Sequence, residues 1–314
     1  MQAIIGTDPA EAAHRLGRGQ LVALPTETVY GLGGHALNLG AVSGIFRAKN
    51  RPSFDPLILH QADADRIFRY ARRVPDSARL LAEACWPGPL TMVLDRVDSV
   101  PDLVTAGLDT VALRVPDHPL TLEVLSQIDF PVAAPSANPF GYVSPVTARH
   151  VADQLGGRID YILDGGSCRV GLESTIIAFG PDEEPTVLRK GGTAVERLQE
   201  ILQRPVGVRT HGSSRPEAPG MLSRHYSPGV PLTLVERAER TGDADHAVVR
   251  FGYEAQNEYE FSLSEEGLLE EAAHRLFGTL RQLADAGYRE ATVELVPERG
   301  LGLAINDRLR RAAR

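Results

Sequence analysis

A chain of 314 residues is long enough for two domains, each with its own core, and 43% apolar with 24% charged residues is the composition of a soluble globular protein. A formal charge of −8, from 33 basic and 41 acidic side chains, speaks against a general nucleic-acid coat, which needs a basic face to displace counterions; a local basic groove stays open. No apolar run reaches the length of a membrane span, the first residues lack the basic start and apolar core of a secretion signal, and Cys85 and Cys168 are too few for a disulfide framework, so the expected compartment is a reducing cytoplasm.

Asp8-Pro9 predicts an N-cap followed by proline at the first helical position, opening a helix through Ala12, Ala13 and Leu16 that stops near Gly17. Leu21-Val22-Ala23-Leu24 reads as a buried strand closed by a proline. The segment after it organises the chain: Pro25-Thr26-Glu27-Thr28-Val29-Tyr30-Gly31-Leu32-Gly33 crowds two hydroxyls, a carboxylate and a phenol at the exit of a core strand. Gly31, Gly33 and Gly34 are expected to turn the backbone sharply and bring it close to a ligand. Helical spacing over Ala41, Val42, Ile45 and Phe46 then delivers Lys49 and Arg51, and Pro56 to His60 reads as a second strand.

Helices are predicted over 62–71 and 76–85, and the rigid turn Trp86-Pro87-Gly88-Pro89 feeds a strand from Leu90 to Leu94. The strand from Thr110 to Pro116 carries an arginine, Arg114, inside an apolar run, where it is either an edge residue or one that needs an anion. A helix over 120–128 precedes the short strand Pro131-Val132-Ala133-Ala134, which ends in Pro135-Ser136-Ala137-Asn138; Ser144-Pro145 is expected to cap a helix running to about Leu155. Strands follow near Tyr161–Leu163, Glu173–Ala178 and Thr186–Arg189, then a helix over 193–202. The alternation is irregular, so a mixed α/β sheet is expected rather than a βαβ repeat. From Arg204 to Gly229 the composition shifts to Gly, Ser, Pro, His and Arg, a linker too rich in specific polar groups for a spacer. A smaller α/β unit closes the chain, with strands near 232–235, 247–250 and 291–295, a helix over 265–286 with one apolar face, and a basic-ended helix over 303–313.

The common nucleotide fingerprints, the nucleophile elbow and the metal-ligand spacings are missing, so neither covalent catalysis nor a protein metal site has a candidate. What the sequence offers is cations on separated strands (Lys49, Arg51, Arg114, Arg189) and small hydroxyl and amide groups at strand ends (Thr28, Thr110, Ser136, Asn138, Ser144, Ser174). Such a set can hold a polyanion and a small polar partner in register, where positioning and charge neutralisation supply the rate.

These residues resemble the YrdC-like domain of the L-threonylcarbamoyladenylate synthase family. The likeness runs through Pro25 to Gly33, the Lys49-x-Arg51 pair, Pro56 to His60, Trp86 to Thr91, Ala134 to Asn138, Ser144-Pro145 and Gly171 to Thr175. Pro219-Gly220-Met221 with Arg224-His225-Tyr226-Ser227-Pro228, and the final Gly300 to Leu309 segment, match the long two-domain form. Two departures are Asp55, where the family commonly has asparagine, and Lys190, where it commonly has proline. The resemblance implies a YrdC-like twisted mixed sheet with a concave active-site face over residues 1–203, a linker or lid over 204–229, and a smaller Rossmann-like α/β domain over 230–314.

The family further implies a threonine pocket formed by Thr28, His60, Arg114, the backbone at Ala134, and Ser174. ATP would be held by Arg51, Asp55, Thr110, Ser136, Ser144, Arg189 and Tyr226, with Lys49 and Asn138 completing the pairs that face the phosphates. Lys49 and Arg51 would do the catalytic charge neutralisation together with magnesium carried by ATP. His60 could also be a satisfied strand-end histidine, Glu27 a brace for its loop, and Arg224 and His225 anchors of the linker. The implied reaction joins L-threonine, bicarbonate (as CO2) and ATP into threonylcarbamoyl-AMP and pyrophosphate, with the product passed to a tRNA threonylcarbamoyl transferase complex. The linker, with Tyr226 near ATP, is expected to close over the site and exclude water. Two other readings stay open: an RNA-binding YrdC-like module without synthase activity, which the net charge disfavours, and a carbamoyl-transfer enzyme of the hydrogenase-maturation type, whose chains are much longer.

Overall fold

Short apolar runs closed by proline or glycine become strands here, and stretches with apolar residues three and four apart become helices. The structure, a computed structural model, describes residues 2–180, 182–209, 226–239 and 241–314. The expected lid therefore falls largely outside the described residues, Arg224 and His225 included. In chain order the first part runs β1 (Ile4–Gly6), α1 (Pro9–Gly17), β2 (Val22–Leu24), β3 (Gly31–His35), α2 (Leu39–Lys49), β4 (Ile58–His60), α3 (Ala64–Phe68) and α4 (Asp76–Cys85). It continues through β5 (Leu90–Asp95), α5 (Asp102–Thr105), β6 (Thr110–Arg114), α6 (Pro119–Ser126), β7 (Val132–Ala133), α7 (Ala148–Leu155), β8 (Tyr161–Leu163), β9 (Thr175–Phe179), β10 (Pro185–Arg189), α8 (Val195–Leu202) and β11 (Gly207–Val208).

These eleven strands form one mixed sheet in the order β1-β8-β2-β3-β7-β4-β6-β5-β9-β10-β11, with five parallel and five antiparallel pairings. The site strands sit at its middle, where β4 pairs with β6 in parallel and sets His60 opposite Arg114. β12 (Leu232–Val235), β13 (His246–Arg250), β14 (Glu260–Ser262), α9 (Leu269–Ala286), β15 (Glu290–Glu294) and α10 (Gly302–Ala312) complete the chain. Its four strands form a second, wholly parallel sheet in the order β12-β15-β13-β14. One apolar cluster runs from Leu21 of the first part to Ala312 of the last helix, so the two sheets share a core.

Two expectations are corrected. The glycines after the central strand do not make a turn: Gly31, Gly33 and Gly34 lie in β3, and none has a positive φ. They serve close approach instead, since a Cβ on Gly33 would stand 3.0 Å from the Val22 carbonyl oxygen and one on Gly31 3.2 Å from the Ala134 Cβ. Ser144 does not cap α7. Thr147 does, its side chain accepting from the His150 amide, while the Ser144 hydroxyl is engaged elsewhere. β1, α5, β11 and β14 are additional elements, too short to carry a periodic signal.

Candidate active site

Between β2 and β3 the hydroxyl-rich segment 26–28 meets the ends of β4 and β6, and a pocket opens there. Nine residues expected from sequence line it: Thr28, Arg51, His60, Arg114, Ala134, Ser136, Ser174, Arg189 and Tyr226. Arg114, 4% exposed, is the strand arginine that needed an anion. Its Nη2 lies 2.7 Å from Glu27 Oε1 and donates to Thr28 Oγ1 at 2.9 Å, and its Nε donates to the Gly88 carbonyl at 3.2 Å. Glu27 also accepts from the Asp117 amide at 3.0 Å, which makes it a brace for the arginine and the loop. The Thr26 hydroxyl donates to the Val29 carbonyl, so the 2.7 Å contact between the two threonines leaves Thr28 as donor to Thr26. Two hydroxyls and a guanidinium are thereby fixed before any ligand arrives.

On the neighbouring strand His60 is 5% exposed, and its Nδ1 has no hydrogen-bond partner among the described residues. Burial first, then the Arg114 charge, lower its pKa to about 3, so at neutral pH it presents an uncharged imidazole. Across the pocket Arg189 gives Nε and Nη2 to the Ser174 carbonyl at 3.1 and 2.9 Å, and Nη2 also reaches Ser174 Oγ at 3.1 Å. Ser174 Oγ is 2.7 Å from Thr91 Oγ1. Burial lowers the Arg189 pKa to about 10, and it stays protonated at neutral pH.

Arg51 comes off the end of α2, where Asn50 takes a left-handed turn at φ 53°. It donates to the carbonyls of Asp55 (3.1 Å) and Pro56 (2.9 Å) and pairs with the Asp55 carboxylate at 2.9 Å. Asp55 itself does not line the pocket; at this site the carboxylate orients the arginine. Burial raises the Asp55 pKa, with Arg51 and Lys49 acting against that rise. Lys49, 1% exposed, also stays off the wall. Its Nζ donates to the Ser136 and Asn138 carbonyls, both at 2.5 Å, and so ties α2 to the loop that carries Ser136. Burial, then Arg51, push its pKa well below the ordinary lysine value. Asn138 spends its amide on the Pro139 and Tyr142 carbonyls.

Thr110 stands apart. It opens β6, at the opposite end of that strand from Arg114, and lines a separate hollow with Asp95, Glu183 and Arg209. Ser144 is fully buried, and its hydroxyl donates to Glu173 Oε1 at 2.8 Å. Glu173 does line the pocket, a wall residue that the sequence reading passed over in favour of its neighbour Ser174. Thr26 and Thr121 are two more, the latter bound to the Pro25 carbonyl. Tyr226 enters from the described end of the expected linker with φ 69°, its ring stacked 5.4 Å from Phe277 and covered by Arg308 at 5.4 Å and Arg311 at 4.9 Å. Burial raises its pKa and keeps the phenol neutral. Around the pocket the described arginines Arg51, Arg114, Arg189, Arg308 and Arg311 outnumber the described carboxylates Glu27, Asp55, Glu173 and Asp307. An anionic ligand would balance that surplus.

Two family models match the chain, one described as "Telomere recombination" over residues 14–191 and one described as "Threonylcarbamoyl-AMP synthase, C-terminal domain" over residues 193–314. The chain belongs to the threonylcarbamoyl-AMP synthase family. A relative of that name from Pyrococcus abyssi is 40% identical across 96% of this chain and 93% of its own length. One from Bacillus subtilis is 38% identical across 97% of this chain and 92% of its own. The crystal structure of P. abyssi Sua5 complexed with L-threonine superposes with a TM-score of 0.91 at 36% identity, covering 100% of this chain and 98% of that one. The long two-domain form of the family and its mixed sheet with a smaller α/β unit are both present in this chain. Among the described residues no helix is long and apolar enough to cross a membrane.

Proposed function

We infer that this chain is a threonylcarbamoyl-AMP synthase, a nucleotidyltransferase that joins L-threonine, bicarbonate and Mg–ATP into threonylcarbamoyl-AMP and pyrophosphate for the threonylcarbamoyladenosine modification of tRNA next to the anticodon. The observation that carries this is the convergence of Arg51, Arg114 and Arg189, from three separate elements, on one pocket that also holds Thr28, Ser174 and an uncharged His60. The Arg114 Nη1, which none of the contacts to Glu27, Thr28 and Gly88 uses, suits the threonine carboxylate as a charge-assisted donor. The Ala134 amide is used by the Ile58 carbonyl, which leaves the Ala134 carbonyl for the substrate's amine or carbamate N–H. Arg51, Arg189 and Ser136 would face the triphosphate, with Tyr226 closing the far wall.

The amine of threonine takes up CO2 as a carbamate and releases a proton. A carbamate oxygen then attacks the α-phosphorus, the bond to the bridging oxygen breaks, and pyrophosphate leaves with that electron pair. No protein nucleophile is required, and the residues act by orienting both partners and neutralising charge. Magnesium would enter with the nucleotide, as the counter-ion of its phosphates. The protein ties that hold Lys49 make it a positioning residue for the Ser136 loop rather than a direct phosphate contact. Incubation with ATP, threonine and bicarbonate, each omitted in turn, followed by mass spectrometry, tests the assignment. The expected result is a threonylcarbamoyl-AMP mass that disappears with any omission. AMP formation that ignores threonine, or no adenylate at all, overturns it.

A further inference from the structure

The last helix belongs to the second domain, yet one of its side chains reaches two residues of the pocket wall. Arg308, fully buried on α10, places Nε 3.1 Å from Glu173 Oε2 and Nη1 2.9 Å from Asp307 Oδ2. Its Nη2 has no hydrogen-bond partner among the described residues. The guanidinium also lies 5.4 Å from the centre of the Tyr226 ring, and both Glu173 and Tyr226 line the pocket. Glu173 in turn accepts from Ser144. Burial opposes the arginine's charge, but the Tyr226 ring, Glu173 and Asp307 outweigh it and raise its pKa.

The consequence follows from charge. Glu173 is 6% exposed and faces a cavity whose other ionised wall groups are the arginines 51, 114 and 189. With the Arg308 charge removed, the Glu173 carboxylate would weigh more heavily against the phosphates of a nucleotide and would compete for Arg189. The threonine side is held by other partners, since Arg114 is fixed by Glu27, Thr28 and Gly88. We propose that Arg308 is a positioning residue through which the second domain completes the nucleotide half of the pocket: it neutralises Glu173, fixes the Glu173–Ser144 pair and backs Tyr226, with no contact to the threonine half. This rests on the synthase reading for the identity of the nucleotide, and it gives the second domain a role in the chemistry of the first.

The test is steady-state pyrophosphate release by the full chain, with threonine affinity measured separately by calorimetry in the absence of ATP. Arg308→Met is expected to raise the KM for ATP by about tenfold or more while moving the threonine Kd by less than about twofold. The double variant Glu173→Gln/Arg308→Met removes both charges, and its KM for ATP is expected within about threefold of that of Glu173→Gln alone. An unchanged KM for ATP in Arg308→Met, an equal weakening of ATP and threonine, or a double variant as impaired as Arg308→Met would each overturn the proposal. If Arg308→Met does not fold, Arg308→Lys carries the test. It keeps the charge and loses the fork, with an expected rise of about threefold in the ATP KM, and a wild-type value overturns the idea. A wild-type chain without threonine-dependent turnover would fail the synthase reading instead. Mg–ATP binding by calorimetry to wild type and Arg308→Met then decides the inference on its own, equal affinities overturning it.

Discussion

At the ends of the parallel strands β13 and β15, Arg250 meets Glu294 at 3.3 Å and Glu260 at 3.5 Å, all three buried. In the first sheet Arg114 meets Glu27 at 2.7 Å, just as deeply buried. The side chains are the same; their surroundings are not. Glu294 also accepts from the amides of Ala238 and Phe251, and Glu260 from that of Gln256, so one arginine and three backbone donors satisfy two carboxylates. That network occupies the strand ends where open α/β sheets commonly bind ligands. The Arg114 network instead leaves a surplus of cations around an open pocket, and the orphaned His60 nitrogen beside them. Buried charge marks a binding site when it is left unbalanced; balanced by backbone amides, it marks a closed structural joint.

Substitutions can break that distinction. Arg114→Met should have the largest effect: about 10³-fold or more lost in pyrophosphate release, and about 3–5 kcal/mol of stability from the stranded Glu27, read by chemical denaturation. Arg250→Met should cost a similar 3–4 kcal/mol or so, while the folded fraction at low temperature keeps kcat and both KM values within about twofold. Equal damage to turnover in the two variants would erase the contrast. Acid should sharpen it. His60 has a pKa lowered from 6.5 to about 3 on folding, so below pH 6.5 the unfolded chain takes up a proton the folded chain refuses. Stability from this group is whole above pH 6.5, is lost as pH falls toward 3, and at pH 5 should be down by about 2 kcal/mol. His150, lowered to about 4 by burial, adds loss of the same sign, so His60→Asn against wild type isolates the pocket's share as a smaller drop in melting temperature between pH 7 and 5. The finest probe is Thr91→Val, which removes one of the two partners of Ser174 Oγ: about 1 kcal/mol of stability, and a two- to threefold or so rise in the KM for threonine.

Much of this was readable from local sequence. Asp8-Pro9 opens α1, with the Asp8 side chain accepting from the Ala10 amide, and 76–85 is helical as its spacing demands. The ordered segments around Thr28, His60, Arg114, Ser136 and Ser174 meet in one pocket. What stayed hidden has long-range causes. Gly31 to Gly34 look like a turn until β2 and β7 flank them, and nothing near Ser144 announces that its hydroxyl serves Glu173, 29 positions on. Arg308 reads as one more cation on a basic-ended helix, because the carboxylate that buries it lies 135 residues away. Asp55 and Lys49 carry the right chemistry in the right neighbourhood, but their partners, Arg51 and two backbone carbonyls, take up the contacts that the motif alone would assign to substrate.

Gly31 begins β3 in the lining of the pocket, bridged to Ser136 and with Ala134 as its nearest side chain. With hydrogen where other residues carry carbon, bare backbone forms that part of the hollow. A single added methyl would press on the Ala134 Cβ at 3.2 Å. Gly31→Ala is therefore expected to narrow what the hollow admits without touching any charged group.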